Sequence, residues 1–287
     1  YNNRGLVELA RRDFAAAARD FQKGIEIDPK YVDAYNNFGF ACYQNGDDAK
    51  ALKAFNQALE LSPDYFNAYN NRAMLYMRAE KFAEAAEDFT KAIELNDSNI
   101  QLHLSRMTAW RELGRDDLAR ADEDRVRWLQ GLAQIDANIR KSPDSARGYI
   151  QRASHLAEGG HSQIALTSFE KALELSPGDA DALTKRASFW LNEGEPQKAI
   201  DDCNAALQSL KASGEFNYKP ISVRGDAWLA LGKLDEAIAD YTAAQRLDEN
   251  VALAYYKRAL LKHSNGDKVG ANADLAKARQ LNPDIGK

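Results

Sequence analysis

The sequence predicts an all-α chain of repeated helix-turn-helix hairpins, and three observations lead there. A motif recurs every 34 residues along the 287-residue chain. Inside each copy, apolar and small residues recur at i, i+3, i+4 and i+7 in two blocks, the spacing of two amphipathic helices. Glycine and proline are scarce, at 17 and 7 residues, while alanine, the best helix former, reaches 48.

The beat is visible in Tyr1-Asn2-Asn3, Tyr35-Asn36-Asn37 and Tyr69-Asn70-Asn71. With Val32 as repeat position 1, eight repeats begin at residues −2 (truncated), 32, 66, 100, 146, 180, 218 and 252. The first helix of each ends before position 15, which is Gly46, Gly114, Gly160, Gly194, Gly232 or Gly266 in six repeats. The second helix carries Ala at position 20 in all eight repeats, from Ala17 to Ala271. Position 24 is a ring in five of them (Phe21, Phe55, Phe89, Phe169, Tyr241), with Glu123, Cys203 and Leu275 as exceptions. Position 27 is small except at Val126, and position 32 is Pro29, Pro63, Pro177 or Pro283 where the second helix must stop. Small residues at positions 8, 20 and 27 let helix axes approach, and the ring fills the space beside them.

This pattern of a small position 8, Ala 20, aromatic 24, Ala 27 and Pro 32 resembles the tetratricopeptide repeat family over essentially the whole chain. The resemblance implies a right-handed superhelical solenoid with an inner groove lined by first helices.

Two insertions interrupt the beat: residues 134–145 after repeat four and 214–217 after repeat six. Positions 21 and 28, apolar where another repeat stacks, are Arg120 and Arg127 in repeat four and Asn272 and Arg279 in repeat eight. Terminal repeats need a polar outer face because nothing covers them. We therefore expect two four-repeat sub-arrays: 1–133, a connector at 134–145, and 146–287. An elongated helix over 116–141, with a weak point at Gly131, joins them.

Seven repeats carry Arg at position 7: Arg4, Arg72, Arg106, Arg152, Arg186, Arg224 and Arg258. Six of these have Asp at position 23: Asp20, Asp88, Asp122, Asp202, Asp240 and Asp274. Repeat two has Phe38 and Ala54 instead, and Arg152 faces Ser168. Acid and base appear or vanish together, which predicts an ion pair inside each hairpin rather than a phosphate-binding row.

A net charge of −5 gives no field for nucleic acid. The longest apolar run, residues 251–256, is far short of the roughly 20 residues of a membrane span. Cys42 and Cys203 form no disulfide framework and read as buried small hydrophobes, weakly favouring a reducing, cytoplasmic setting. Gly225 to Gly232-Lys233 fails the P-loop spacing, and His103, His155, His161 and His263 lack zinc-ligand spacing. No catalytic, metal or cofactor residues are assigned.

First-helix positions 2, 5, 6, 9, 12 and 13 share a stripe opposite the packing face. There repeats one to three present Asn2 and Asn3, Asn36 and Asn37, Asn70 and Asn71, followed by Leu6, Phe40 and Met74 at position 9 and Leu9, Tyr43 and Met77 at position 12. A carboxamide offers both donor and acceptor and suits the main chain of an extended peptide. Asn2, Asn3, Asn36, Asn37, Phe40, Tyr43, Asn70, Asn71, Met74 and Met77 are therefore the expected peptide-binding residues. Family resemblance places an asparagine ladder on Asn3, Asn37 and Asn71. Some relatives clamp acidic chaperone tails with lysine at position 5, but repeats one to three offer Asn2, Leu6, Asn37, Asn67 and Asn71 and lack the cations. The expected function is a non-catalytic scaffold for a protein or peptide partner. The competing readings are a recruiting region of a larger enzyme and a self-associating scaffold.

Overall fold

A computed structural model describes residues 1–286. They form sixteen α-helices and, among the described residues, no strand. By contacts the chain divides into two compact units, Tyr1–Gly131 and Leu132–Lys287.

The first unit holds α1 (Asn2–Ala10), α2 (Phe14–Ile27), α3 (Val32–Gln44), α4 (Asp48–Leu61), α5 (Phe66–Arg78), α6 (Phe82–Leu95), α7 (Ile100–Glu112) and the start of α8 (Asp116–Lys141). The second holds the tail of α8 with α9 (Ala146–Glu158), α10 (Ser162–Leu175), α11 (Ala180–Asn192), α12 (Pro196–Ser213), α13 (Lys219–Ala230), α14 (Leu234–Ala243), α15 (Glu249–Ser264) and α16 (Lys268–Leu281). Outside α8, helices pack on their chain neighbours, and first helices of successive hairpins also touch: α1 on α3, α3 on α5, α9 on α11, α11 on α13, α13 on α15. Each unit is thus a stack of hairpins with its first helices in a row, the arrangement of an all-α solenoid.

Local chemistry sets the hairpin ends. Asp13, Asp179 and Asp267 cap second or first helices by accepting from the backbone N–H three residues on, at 2.8–2.9 Å. Every turn inside a hairpin puts position 15 in the left-handed region. Six repeats use glycine there, but Arg12 (φ 63°) and Glu80 (φ 57°) take the same conformation in hairpins one and three.

The position-24 ring sits directly under position 8. Phe21, Phe55, Phe89 and Tyr241 are fully buried, and a Cβ added to Gly39 would lie 2.6 Å from the Phe55 ring. The expected ion pairs form in all six hairpins that carry both partners, with paired N–H···O bonds of 2.5–3.0 Å. Arg152 donates to Ser168 at 2.9 Å and also to Asp136 at 2.8 Å. Asp136 precedes Arg152 by 16 residues, as Asn56 precedes Arg72 and Thr90 precedes Arg106, and each accepts from its arginine. The α8 tail therefore occupies, for hairpin five, the place of a preceding second helix. Arg120, Arg127, Asn272 and Arg279 are all exposed.

Candidate functional site

The asparagine doublets fall on α1, α3 and α5, which lie side by side. Their carboxamides bond to one another across the three helices. Asn2 donates from Nδ2 to the Tyr31 hydroxyl at 3.3 Å and accepts on Oδ1 from Asn37 at 3.4 Å. Asn37 accepts from Asn36 at 3.4 Å, and Asn36 in turn accepts from Asn71 at 2.8 Å. A continuous run of four carboxamides thus links hairpins one, two and three.

This chain of bonds changes what each asparagine offers. Asn36 is only 6% exposed. It is a bridge between helices rather than a ligand-facing group, because consecutive residues on a helix point about 100° apart. Asn2, Asn37, Asn70 and Asn71 are half-buried, and Asn3 is exposed.

The apolar part of the stripe is narrower than position numbers imply. Met74 and Leu6 are exposed and Phe40 is half-buried. Position 12 is half-buried and borders the core: Leu9 packs on the cluster that holds Ala17 and Phe21, Tyr43 on the cluster of Cys42 and Phe55, and Met77 on that of Ala85 and Phe89. Of Phe40, Tyr43, Met74 and Met77, expected to form one apolar patch, only Met74 is exposed, and the other three are half-buried. Arg78 further shields Tyr43. Its guanidinium lies 3.8 Å from the ring centroid, donates to the Tyr43 carbonyl oxygen at 2.8 Å and pairs with Asp48. Nothing in the repeat pattern singled out Arg78; its signal was only a cation at position 13.

Groups with chemical potential elsewhere are committed to structure. Burial pushes the Cys42 and Cys203 thiols up to about 11 and about 12, so both stay protonated and unreactive near neutral pH. His103 is 3% exposed, with Nδ1 3.0 Å from Asp122 Oδ1 and Nε2 2.9 Å from the Asp97 carbonyl oxygen. Burial alone would raise the Asp122 carboxyl. Hydrogen bonds from His103 and Arg106 outweigh it and hold that carboxyl below the usual range. No group of three or more His, Cys, Asp or Glu among the described residues is placed to hold a metal ion, and no described helix is long and apolar enough to cross a membrane.

Models of the tetratricopeptide repeat match residues 66–99 and 150–214, and a TPR repeat model matches 5–46, 40–80 and 225–266. Among curated proteins, an Hsp70-Hsp90 organizing protein of Triticum aestivum is 27% identical over 121 residues, 41% of this chain and 19% of that protein. The TPR repeat-containing thioredoxin TDX of Arabidopsis thaliana is 35% identical over 105 residues, 37% of this chain and 27% of its own length. The chain thus spans only about a fifth to a quarter of these relatives. Among solved structures, a tetratricopeptide repeat protein from Parabacteroides merdae is 17% identical, with a TM-score of 0.41 and 96% of each chain covered. YrrB, described as a TPR protein with an unusual peptide-binding site, is 23% identical with a TM-score of 0.35, over 76% of this chain and 99% of its own.

Proposed function

The chain belongs to the tetratricopeptide repeat family, and on that premise we propose that it is a non-catalytic interaction scaffold that holds a polypeptide segment along α1, α3 and α5. The observation that carries this reading is the bonded carboxamide row. Each carboxamide has two N–H donors and two acceptor lone pairs. Asn37 uses one donor on Asn2 and one lone pair on Asn36, which leaves one of each for a peptide main chain. The row holds these groups in place before a ligand arrives, which lowers the ordering cost of binding.

Main-chain recognition is indifferent to ligand sequence, so selectivity falls to the neighbours. Leu6, Phe40 and Met74 border the row and supply apolar contact, the methionine in an adaptable form. The binding residues of this reading are Asn3, Asn37, Asn70, Asn71, Phe40 and Met74, with Asn2 and Asn36 as the inner braces. Similarity to an Hsp70-Hsp90 organizing protein supports a polypeptide partner. The missing position-5 lysines in hairpins one to three turn the reading away from acidic chaperone tails.

The test is selection of random dodecapeptides on the folded chain, followed by calorimetric titration of the winners. An Asn37→Ala/Asn71→Ala variant with unchanged circular dichroism is expected to bind them roughly tenfold or more weakly, since two hydrogen bonds at about 0.5–1.5 kcal/mol each are lost. Unchanged affinity would remove the row from the binding surface.

A further inference from the structure

Hairpin two lacks the ion pair found in its neighbours, and a cavity of about 330 Å³ opens at that place. It is lined by Ile25 from α2, Tyr35 and Phe38 from α3 and Ala54 from α4, together with Gln22, Gln57, Lys50 and Lys53. Phe38 and Ala54 are the very residues that replace Arg and Asp. Two corresponding pockets exist. In hairpin three the pocket contains Arg72 and Asp88 together with Glu60, Glu84 and Glu87. In hairpin six it contains Arg186 and Asp202 with Glu170 and Asp201. Both are acidic overall, even with Lys198 in hairpin six, and have the ion pair in their walls. Of the three, only the hairpin-two cavity has no acidic lining residue, so that its lysines stand against a largely apolar lining with two glutamines.

Its place is distinct from the asparagine row. Tyr35 lies two residues from Asn37, about 200° round α3, so the cavity opens on the other side of that helix. Its volume is at the low end of the roughly 300–1,000 Å³ typical of ligand sites, enough for one large side chain. Lys50 pairs loosely with Asp47 at 3.4 Å. Lys53 is exposed and makes no ion pair among the described residues. A cationic rim on a chain of net charge −5 acts only locally, within the roughly 8 Å screening length of physiological salt.

We propose that this cavity is a second docking site, which takes one large apolar side chain of a partner polypeptide whose flanking residues are acidic. The apolar walls desolvate the side chain. The flanking carboxylates meet Lys50 and Lys53, and the acidic pockets of hairpins three and six repel the same segment. Loss of the ion pair is what makes the wall apolar, because an Arg at 38 would replace the Phe38 ring with a charge and an Asp at 54 would offset one of the two lysines.

The test uses a fluorescein-labelled heptapeptide with a central tryptophan and three acidic residues on each side, titrated by anisotropy. Wild type is expected to bind it at least tenfold more tightly than the same peptide with central alanine or with lysine flanks. Phe38→Arg/Ala54→Asp restores the pair of the other hairpins and should weaken binding at least tenfold. Lys53→Glu, a surface change that spares the fold, should do likewise and serves should the double variant lose its helical signal. Dodecapeptides selected on the asparagine row should not displace the probe, which keeps the two sites separable. Equal binding by wild type and Lys53→Glu, or by the tryptophan and alanine peptides, overturns the proposal. Displacement of the probe by free 3-phenylpropionate at concentrations below the probe's own Kd overturns the polypeptide assignment in favour of a small aromatic acid.

Discussion

Hairpins two and three share a backbone plan, an asparagine doublet and a buried Phe under position 8, yet they are held at the same place by opposite chemistry. Hairpin three joins its helices with Arg72 and Asp88, two N–H···O bonds of 2.7 Å beneath a half-buried guanidinium. Hairpin two has Phe38 there, half-buried against the cluster that holds Phe21 and Ala41 and the cluster that holds Cys42 and Phe55. The turns differ as well: Gly46 (φ 83°) in hairpin two, Glu80 (φ 57°) in hairpin three. The ion pair is therefore not what makes a hairpin. It is one of two compatible solutions, and the choice between them decides whether the outer pocket there is lined by an ion pair and acids or by apolar side chains and lysines.

The strongest way to break this comparison is to leave half a solution in place. Asp88→Ala strands Arg72, and because the pair is largely but not wholly buried we expect a loss of about 2–3 kcal/mol, below the roughly 3–5 of a fully buried pair. Urea unfolding checks it. Adding Arg72→Phe should recover most of the loss; if the double variant is no more stable than Asp88→Ala, the two solutions are not interchangeable.

Acid separates the hairpins next. Asp122 and Asp274 are subject to burial, which raises a carboxyl, but hydrogen bonds from His103 and Arg106, and from Arg258 and Lys262, bring both below the ordinary 3.8. A carboxyl lowered in the fold gives stability that is whole above its unfolded value and is lost as pH falls through the folded one. Below about pH 3.8, then, hydrogen exchange at α7 and α8, and at α15 and α16, should quicken several-fold relative to α3 and α4, which contain no such pair. Uniform quickening across all hairpins would show that the pairs do not govern acid loosening.

Two smaller effects sharpen the picture. Phe38→Arg/Ala54→Asp should change stability by less than about 1 kcal/mol, since a partly exposed pair is worth only a few tenths to one. A loss well above that would mean that Phe38 is needed for packing beyond its own hairpin. Glu80→Gly should raise stability by about 0.5 kcal/mol, as relief of the left-handed penalty of roughly 1–2 kcal/mol is partly offset by the entropy of glycine in the unfolded chain. A gain in the thermal midpoint is the readout, and the reverse change, Gly46→Glu, should lower it.

Much of the fold was legible because its determinants are local. The alanine at position 20, the ring at 24 and the glycine at 15 mark helices and turns one repeat at a time. The ion pairs were legible through covariation inside one chain, down to Arg152 facing Ser168. Asp136 was not, because it sits in the 134–145 insertion where the 34-residue period offers no register. Arg12 and Glu80 gave no sign of a left-handed turn, since neither favours it and only the hairpin geometry imposes it. In the candidate site, the sequence shows the doublets as a series, but not that Asn36 is buried as a brace between helices, nor that Met74 alone of the apolar quartet is exposed.

By itself, then, the sequence determined the repeat length, the helix periodicity, the hairpin turns and the partners within each hairpin, because these follow from spacings of 34, 16 and 3.6 residues along one chain. Tertiary structure alone decided which asparagine of a doublet faces a neighbouring helix, which apolar residues stay in contact with solvent, and that Phe38 with Ala54 leaves a cavity. Those outcomes depend on how closely a helix from the next repeat approaches, and exposure is a property of that approach rather than of any residue's own position.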